Sequence, residues 1–380
     1  MKIVYVSNYF NHHQKPLSDA LFHLTDGEYT FISTAPMREE RRELGYVMPD
    51  APYHLIAYSD NAAKEKAMEI IKNADVVLTG SADYSYLNER IRSRKLLIKC
   101  GERPLRHGIE PFKYLPRRIK WHRQYPSDAP IYLLCASAYA AWDYARMGMF
   151  QNRAYRWAYF TETKRYQDID LLIEKKEKNS LLWVARLIEL KHPENILEVV
   201  RRLKKDSYDL SLNIIGSGPM EESLKRIAAE NEITQEVTFC GAMSPDEVRR
   251  YMERAEIFAF TSNREEGWGA VINEAMNSGC AVVGSNAAGA VPFLICDSHN
   301  GLTYQSGNVE MLYKKIRYLM DNASERKRMG KEAYRTITEL WNADVAAERL
   351  INLSRRILAG EKSPQLYENG PCSMAEILKE

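Results

Sequence analysis

Apolar residues in the first part of the chain fall into short runs bounded by polar residues or glycine: KIVYVS, YTFIS, DVVLTG, KLLIKC and IYLLCAS. Runs of this length, rich in Val, Ile and Leu and without polar alternation, predict strands buried on both faces of a parallel sheet. Between them apolar positions recur every three or four residues, as in KPLSDALFHL and AYAAWDYARMG, which predicts amphipathic helices. A second series opens near Ser180. There SLLWVAR, LSLNIIG, VTFCG, EIFAFTS and CAVVGS read as strands, alternating with the helical PENILEVVRRLKK, MEESLKRIAAEN, SPDEVRRYMERA and AVINEAMNSG. Two βα series predict an α/β chain of two doubly wound domains facing each other across a cleft, with ligands at the carboxyl ends of the strands.

The polar stretch from Thr161 to Ser180, TETKRYQDIDLLIEKKEKNS, is the expected joint. The division predicted is 1–165 for the first domain, 166–345 for the second, and 346–380 for a terminal helix crossing back to the first domain. The last residues, EKSPQLYENGPCSMAEILKE, carry Pro and Gly breakers and predict a loosely attached tail.

Composition narrows the function class. A chain of 380 residues exceeds one ordinary α/β core, and 45% hydrophobic with 27% charged residues describes a globular protein. The 53 basic against 51 acidic residues leave a net charge of +2, which argues against nucleic acid as a partner. The sequence shows neither a signal-peptide core nor an apolar run of membrane-spanning length, and its six scattered cysteines form no CxxC pair. Buried free thiols in a reducing cytoplasm are therefore expected, rather than disulfides or a zinc site.

Candidate chemistry gathers at three strand ends of the second series. In REEGWGAVINEAMNSG, Gly267 and Gly269 leave room for a ligand beside the amides of Gly267, Trp268, Gly269 and Ala270, where a helix begins. Glu266 in the loop and Glu274 in the helix are carboxylates able to accept hydrogen bonds from sugar or ribose hydroxyls. In VARLIELKHPEN, Arg186 follows a strand and Lys191 precedes the helix opened by Pro193; two cations there suit a diphosphate. Taken singly, each reads as ordinary loop charge. A third stretch, IIGSGPMEESL, places Gly216 and Gly218 at a strand end but lacks the third glycine of the dinucleotide fingerprint, which disfavours a nicotinamide enzyme. These glycines fit a tight turn near a nucleotide or a purely structural one.

The ordered set VARLIELK, IIGSGP, VTFCG, EEGWGAVINEAMNSGCAVVGS, AAGAVPFLI and NGLTY resembles the donor domain of glycosyltransferase family 4, retaining enzymes of the GT-B fold, over roughly Ser180 to Tyr304. The resemblance implies two Rossmann-like domains, an acceptor-binding first and a donor-binding second. Glu266 and Glu274, with seven residues between them, match the family's E-x7-E motif, implying contact of Glu266 with the transferred sugar and of Glu274 with the ribose. Arg186 and Lys191 match its R-x4-K diphosphate pair, implying leaving-group stabilisation with no metal and no cofactor. Ala185 departs from the usual glycine before the arginine. Gly241 and Met243 are implied near the base, with uridine and guanosine both open. The implied activity is transfer of a sugar from a UDP- or GDP-sugar to a glycan acceptor, lipid-linked and serving a bacterial surface polysaccharide. A sugar-nucleotide epimerase and a non-catalytic donor-binding partner subunit are the alternatives.

In the first domain, His12 and His13 of NYFNHHQ follow the first strand and are candidates for orienting the acceptor or meeting donor phosphates, a surface histidine pair being the bland alternative. KCGERPLRHG offers Glu102, Arg103 and His107, equally suited to a structural ion pair. From Arg90 to Tyr125 bases outnumber acids, and Arg117, Arg118 and Lys120 interleave with aromatics such as Trp121. That mixture predicts an anionic membrane surface or a lipid diphosphate as partner, hence peripheral attachment to the inner face of the plasma membrane, the alternative being aromatics packed into the core beneath a solvated basic face.

Overall fold

The structure is a computed structural model and describes residues 1–39 and 47–379. The chain divides into two compact units, Met1–Glu162 together with Trp341–Glu380, and Thr163–Leu340. Each is built on one parallel sheet, so the chain has the two Rossmann-like domains expected of its fold class.

The first unit carries β1 (Ile3–Ser7), β2 (Tyr29–Ser33), β3 (His54–Ile56), β4 (Val76–Thr79), β5 (Leu97–Gly101), β6 (Ile131–Cys135) and β7 (Ala154–Arg156), in the order β3-β2-β1-β4-β5-β6-β7. The second carries β8 (Glu177–Val184), β9 (Ser211–Ile215), β10 (Val237–Gly241), β11 (Ala255–Phe260), β12 (Ala281–Ser285) and β13 (Leu302–Tyr304), in the order β10-β9-β8-β11-β12-β13. In both, chain order reverses beside the unit's first strand. The switch points are thus β1/β4 and β8/β11, where the loops on either side diverge and leave a crevice at the carboxyl edge.

The apolar runs explain the sheets. β1, β6, β11 and β12 are buried at every position, as strands covered on both faces must be. The second unit's core joins Leu181, Trp183, Ile214, Ile257 and Val283 to Ile196 and Val200 of the helix Pro193–Lys205 and Leu312 of the helix Val309–Asp321. Four strands were misjudged: β3, β7 and β13, three residues each and at or next to a sheet margin, were not anticipated, and β8 begins three residues before Ser180. Short margin strands take their pairing from a neighbour and carry little pattern of their own.

The middle of the expected joint forms the helix Ile169–Glu174, capped by Asp168, whose carboxylate accepts from the Leu171 amide. The terminal helix Ala343–Leu358 packs within the first unit on the helix Lys15–Leu24. The last segment is not a loose tail. Arg156 N–H donates to Ser373 O (2.8 Å), Cys372 N–H to Arg156 O (2.9 Å) and Ala375 N–H to Ala154 O (2.9 Å), so it pairs along β7 and buries Cys372. All six cysteines are free thiols, but only Cys135, Cys280 and Cys372 are buried; Cys100 and Cys240 are partly exposed and Cys296 is exposed. Among the described residues no helix is long and apolar enough to cross a membrane.

Candidate functional site

The loops leaving β8 and β11 flank the second unit's switch point and are laced to each other. Trp183 Nε1 donates to Thr261 Oγ1 (2.8 Å), whose hydroxyl donates to Lys191 O (2.5 Å), and Asn263 N–H donates to Leu190 O (2.9 Å). This lacing brings Lys191 to Glu266: the ammonium and carboxylate form an ion pair, both side chains 13% exposed, and Ser262 Oγ donates to the same carboxylate at 3.1 Å. Arg186 stands exposed on the loop after β8.

The β9 loop closes against the β8 loop from the other side. A Cβ on Gly216 would lie 1.9 Å from Ala185 O, and one on Gly218 2.4 Å from Leu187 O, so both glycines are required by backbone packing. Gly216 N–H donates to Gly241 O (2.8 Å) and Leu187 N–H to Ser217 O (2.9 Å). Gly216 thus sets the course of the loop that bears Arg186. Met243, beyond Gly241, lines with Leu172, Glu247, Arg250 and Tyr251 a surface concavity of about 500 Å³ that includes none of Arg186, Lys191, Glu266 or Glu274.

After β11 the chain turns through Gly267 and Gly269 into the helix Val271–Asn277. Gly269 has φ +93°, and a Cβ there would lie 2.5 Å from Phe260 Cζ. Trp268 is buried, its Nε1 donating to Asn273 Oδ1 (2.9 Å), so its indole anchors the turn. Ala270 sits half-buried just ahead of the helix. Glu274 lies in the first helical turn; burial pushes its carboxyl above the usual range, against the nearby Arg249. Arg249 itself is held by Glu274 O (3.3 Å), Asn277 Oδ1 (2.9 Å) and Ser278 Oγ (3.2 Å). The helix ends with Gly279 in the left-handed region at φ +68°, as its sequence predicts.

Three residues of this edge were not singled out from sequence: Thr261, Asn263 and His192. His192 has φ +47°, rare for a residue with a side chain, and bridges the two loops: Nδ1 lies 2.8 Å from Glu194 Oε1 and Nε2 3.1 Å from Asn263 Nδ2. The Glu194 bond raises its pKa above the ordinary histidine value. Its place in LKHPEN, directly before a helix-opening proline, was the available signal.

At the first unit's switch point the loop after β1 carries His12 and His13, their rings 4.0 Å apart. Asn11 shapes this loop by accepting from the His13 amide (3.0 Å), and burial lowers the His12 pKa. Of the two readings of Arg103, an acceptor or membrane contact and a structural ion pair, the structure shows the second: the side chain is buried and its guanidinium pairs with Asp143 (3.3 Å), which also accepts from the Leu105 amide (3.0 Å). Glu102 accepts from Tyr159 Oη (2.6 Å) and Arg106 Nη1 (3.2 Å), and His107 is exposed, with Arg106 Nε donating to its Nε2 at 3.3 Å.

Arg117, Arg118, Lys120 and Trp121 belong to the helix Pro111–Gln124. Trp121 is partly buried and stacks on Tyr144 at 5.4 Å, packing against the first unit's core rather than standing fully outward. Arg117 donates to Pro104 O (3.2 Å) and Arg118 to Met147 O (3.1 Å), while Lys120 is exposed. Outward instead point Phe112, 95% exposed, Leu115 and Ile119, on one face of the helix, continued by the exposed Ile109 before it.

Solved structures with the same fold include Anabaena Alr3699/HepE in complex with UDP, at 14% identity and TM-score 0.69 over 94% of this chain and 100% of that one. Another is the apo form of the lipopolysaccharide outer core galactosyltransferase WaaB, at 16% identity and TM-score 0.67 over 93% and 99%. Among curated proteins the chain is similar to a GDP-mannose-dependent alpha-(1-6)-phosphatidylinositol monomannoside mannosyltransferase of Mycobacterium tuberculosis, 24% identical over 47% of this chain and 48% of the relative. It is also similar to an uncharacterized glycosyltransferase of Haemophilus influenzae, 30% identical over 44% and 49%. The chain spans about half the length of these curated relatives. Residues 167–336, nearly the whole second unit, match the family model of the glycosyl transferases group 1.

Proposed function

We propose that the protein is a retaining glycosyltransferase of family 4 that takes a sugar from a UDP- or GDP-sugar and passes it to a glycan acceptor. The observation that carries this reading is the Lys191–Glu266 ion pair at the β8/β11 switch point, with Arg186 on the adjoining loop and Glu274 in the following helix. An entering pyrophosphate competes with Glu266 for the Lys191 ammonium. Its arrival exchanges one anion for another and releases the carboxylate toward the sugar hydroxyls. As the anomeric bond lengthens, Arg186, Lys191 and the amides from Gly267 to Ala270 stabilise the charge growing on the departing diphosphate, without a metal. Glu274 accepts from the ribose hydroxyls, and Gly241 and Met243 approach the base. The first unit supplies the acceptor, with His12 or His13 orienting its hydroxyl.

The test is a panel of UDP-, GDP-, ADP- and dTDP-sugars, following thermal stabilisation and release of free nucleotide with and without EDTA. One donor should stabilise and be hydrolysed, with EDTA making no difference and Glu274→Gln weakening both signals. Failure of every donor to do either sinks the reading and favours a non-catalytic subunit.

The acceptor in this reading is lipid-linked and belongs to a bacterial surface polysaccharide, with the protein attached to the anionic cytoplasmic leaflet. Support comes from the exposed stripe of Phe112, Leu115 and Ile119, beside which lie Lys113, Lys120 and Arg123. The helix Pro111–Gln124 contains five Lys or Arg and no acid. A second copy docked here would press like charges together, whereas anionic lipid headgroups neutralise them while the apolar stripe enters the acyl boundary. In co-sedimentation, vesicles containing phosphatidylglycerol should retain the protein at low salt, and Phe112→Glu with Leu115→Glu should reduce binding at least tenfold, each side chain contributing about 1.5–3 kcal/mol on burial. A concentration-dependent dimer abolished by the same double variant would assign the stripe to self-association instead.

A further inference from the structure

The tie between His192 and Asn263 has a directional hydrogen-bond logic. Asn263 Oδ1 already accepts from the Glu265 amide at 2.9 Å, which turns its Nδ2, a donor, toward His192 Nε2 at 3.1 Å. Nε2 must then be the acceptor, which leaves the imidazole proton on Nδ1, donated to Glu194 Oε1 at 2.8 Å. Only the neutral ring with Nδ1–H satisfies both neighbours. The imidazolium would point an N–H at an N–H and break the link. On either side of this link stand Lys191, one residue before His192, and Glu266, three after Asn263.

We infer that His192 is a positioning residue whose neutral tautomer holds the β8 and β11 loops in the register at which Lys191 and Glu266 meet, so that acid loosens the diphosphate site. This rests on the donor-site reading above. The charged groups facing the ring are Glu194 on the helix it precedes, Glu189 in the turn before it and Glu265 on the β11 loop. All three favour the imidazolium, so protonation strengthens the ring's pairing with Glu194 while undoing its link to Asn263. Stability and ligand affinity should therefore move in opposite directions as pH falls, a divergence that a purely structural histidine would not produce. The left-handed backbone explains the choice of variant: glycine keeps φ positive while removing the ring.

The experiment measures binding of UDP and of GDP to the full chain between about pH 5.5 and 8.5, for wild type, His192→Gly and Asn263→Asp. Wild type should bind about tenfold tighter than His192→Gly at the alkaline end, the worth of about one hydrogen bond, with the ratio falling to about one at the acid end. Asn263→Asp keeps the acceptor for the Glu265 amide but offers the ring a carboxylate, so its link forms with the imidazolium and its advantage over His192→Gly should appear on the acid side. A ratio independent of pH, or Asn263→Asp tracking wild type, overturns the inference. Nitrogen-15 histidine spectra of the ligand-free protein test the tie apart from donor binding. A neutral ring protonated on Nδ1 supports it, and one protonated on Nε2 overturns it. If neither nucleotide binds at any pH the donor reading fails, and those spectra alone decide the loop tie.

Discussion

The two units share a strand order and differ in what they place at its reversal. At β8/β11 the loops are cross-linked by Thr261, Asn263 and His192 and hold an ion pair between two partly buried groups. At β1/β4 the edge carries two histidines with tilted, adjoining rings and Asn11 on one strand's loop, and Gly80 just past the other strand. One edge holds an ion pair between its two loops, and the other sets two imidazoles side by side on one loop. The same topology therefore supplies a place, and the loop residues supply the chemistry.

The comparison is broken most directly by removing charge from one edge. Lys191→Ala and Glu274→Gln should each lower donor-dependent nucleotide release by about 10²–10³-fold with the fold retained, as checked by rates and circular dichroism. Near-normal rates in either would make the two edges equivalent and dissolve the contrast.

Glycines sharpen it next. Gly216→Ala drives a Cβ to 1.9 Å from a backbone oxygen at a positive φ, so a loss of about 3–5 kcal/mol in denaturant unfolding is expected. Gly80→Ala meets only the Ser7 hydroxyl at 2.8 Å with no positive φ, and should cost about 1–2 kcal/mol. Equal costs would mean that the second unit's edge is no more tightly built than the first's.

Smaller effects are expected at the histidines. His12→Gln or His13→Gln should slow transfer to an acceptor about tenfold, the worth of one orienting hydrogen bond, while leaving donor hydrolysis unchanged. An equal loss of donor hydrolysis would place these side chains on the donor instead.

Smallest is the stability signature of Glu274. Its pKa is raised in the folded state, so the wild type is favoured below the ordinary carboxylate range and loses that advantage as pH rises through it. Glu274→Gln carries no charge to desolvate. Its melting temperature should exceed that of wild type by on the order of 1–3 °C near neutral pH and match it near pH 4. A variant less stable than wild type at neutral pH would mean that Arg249 outweighs burial.

How much of this was legible in the sequence depends on whether the signal was local. The helices Lys15–Leu24, Pro193–Lys205 and Ala343–Leu358 coincide with their apolar periodicity, and the long buried strands with their apolar runs. The helix Pro111–Gln124 is legible in the sequence only as a basic, aromatic segment, since its interior Pro116 and outward apolar stripe obscure the usual inward pattern. The sequence leaves Arg103 open between an acceptor contact and a structural ion pair, because its partner Asp143 is 40 residues away. The burial of the Trp268 indole is equally illegible, because nothing local reveals that it is enclosed.

The sequence by itself determined the two βα series, the edge on which Arg186, Lys191, Glu266 and Glu274 fall, and the glycines that a close turn demands, because periodicity and backbone preference act over a few residues. Only the tertiary structure decided that Lys191 meets Glu266, that His192 joins Asn263, that Arg103 is spent on Asp143 and that the final segment pairs with β7. Those outcomes depend on which distant loops the sheet order sets side by side, and on the cost of leaving a buried charge or backbone amide without a partner.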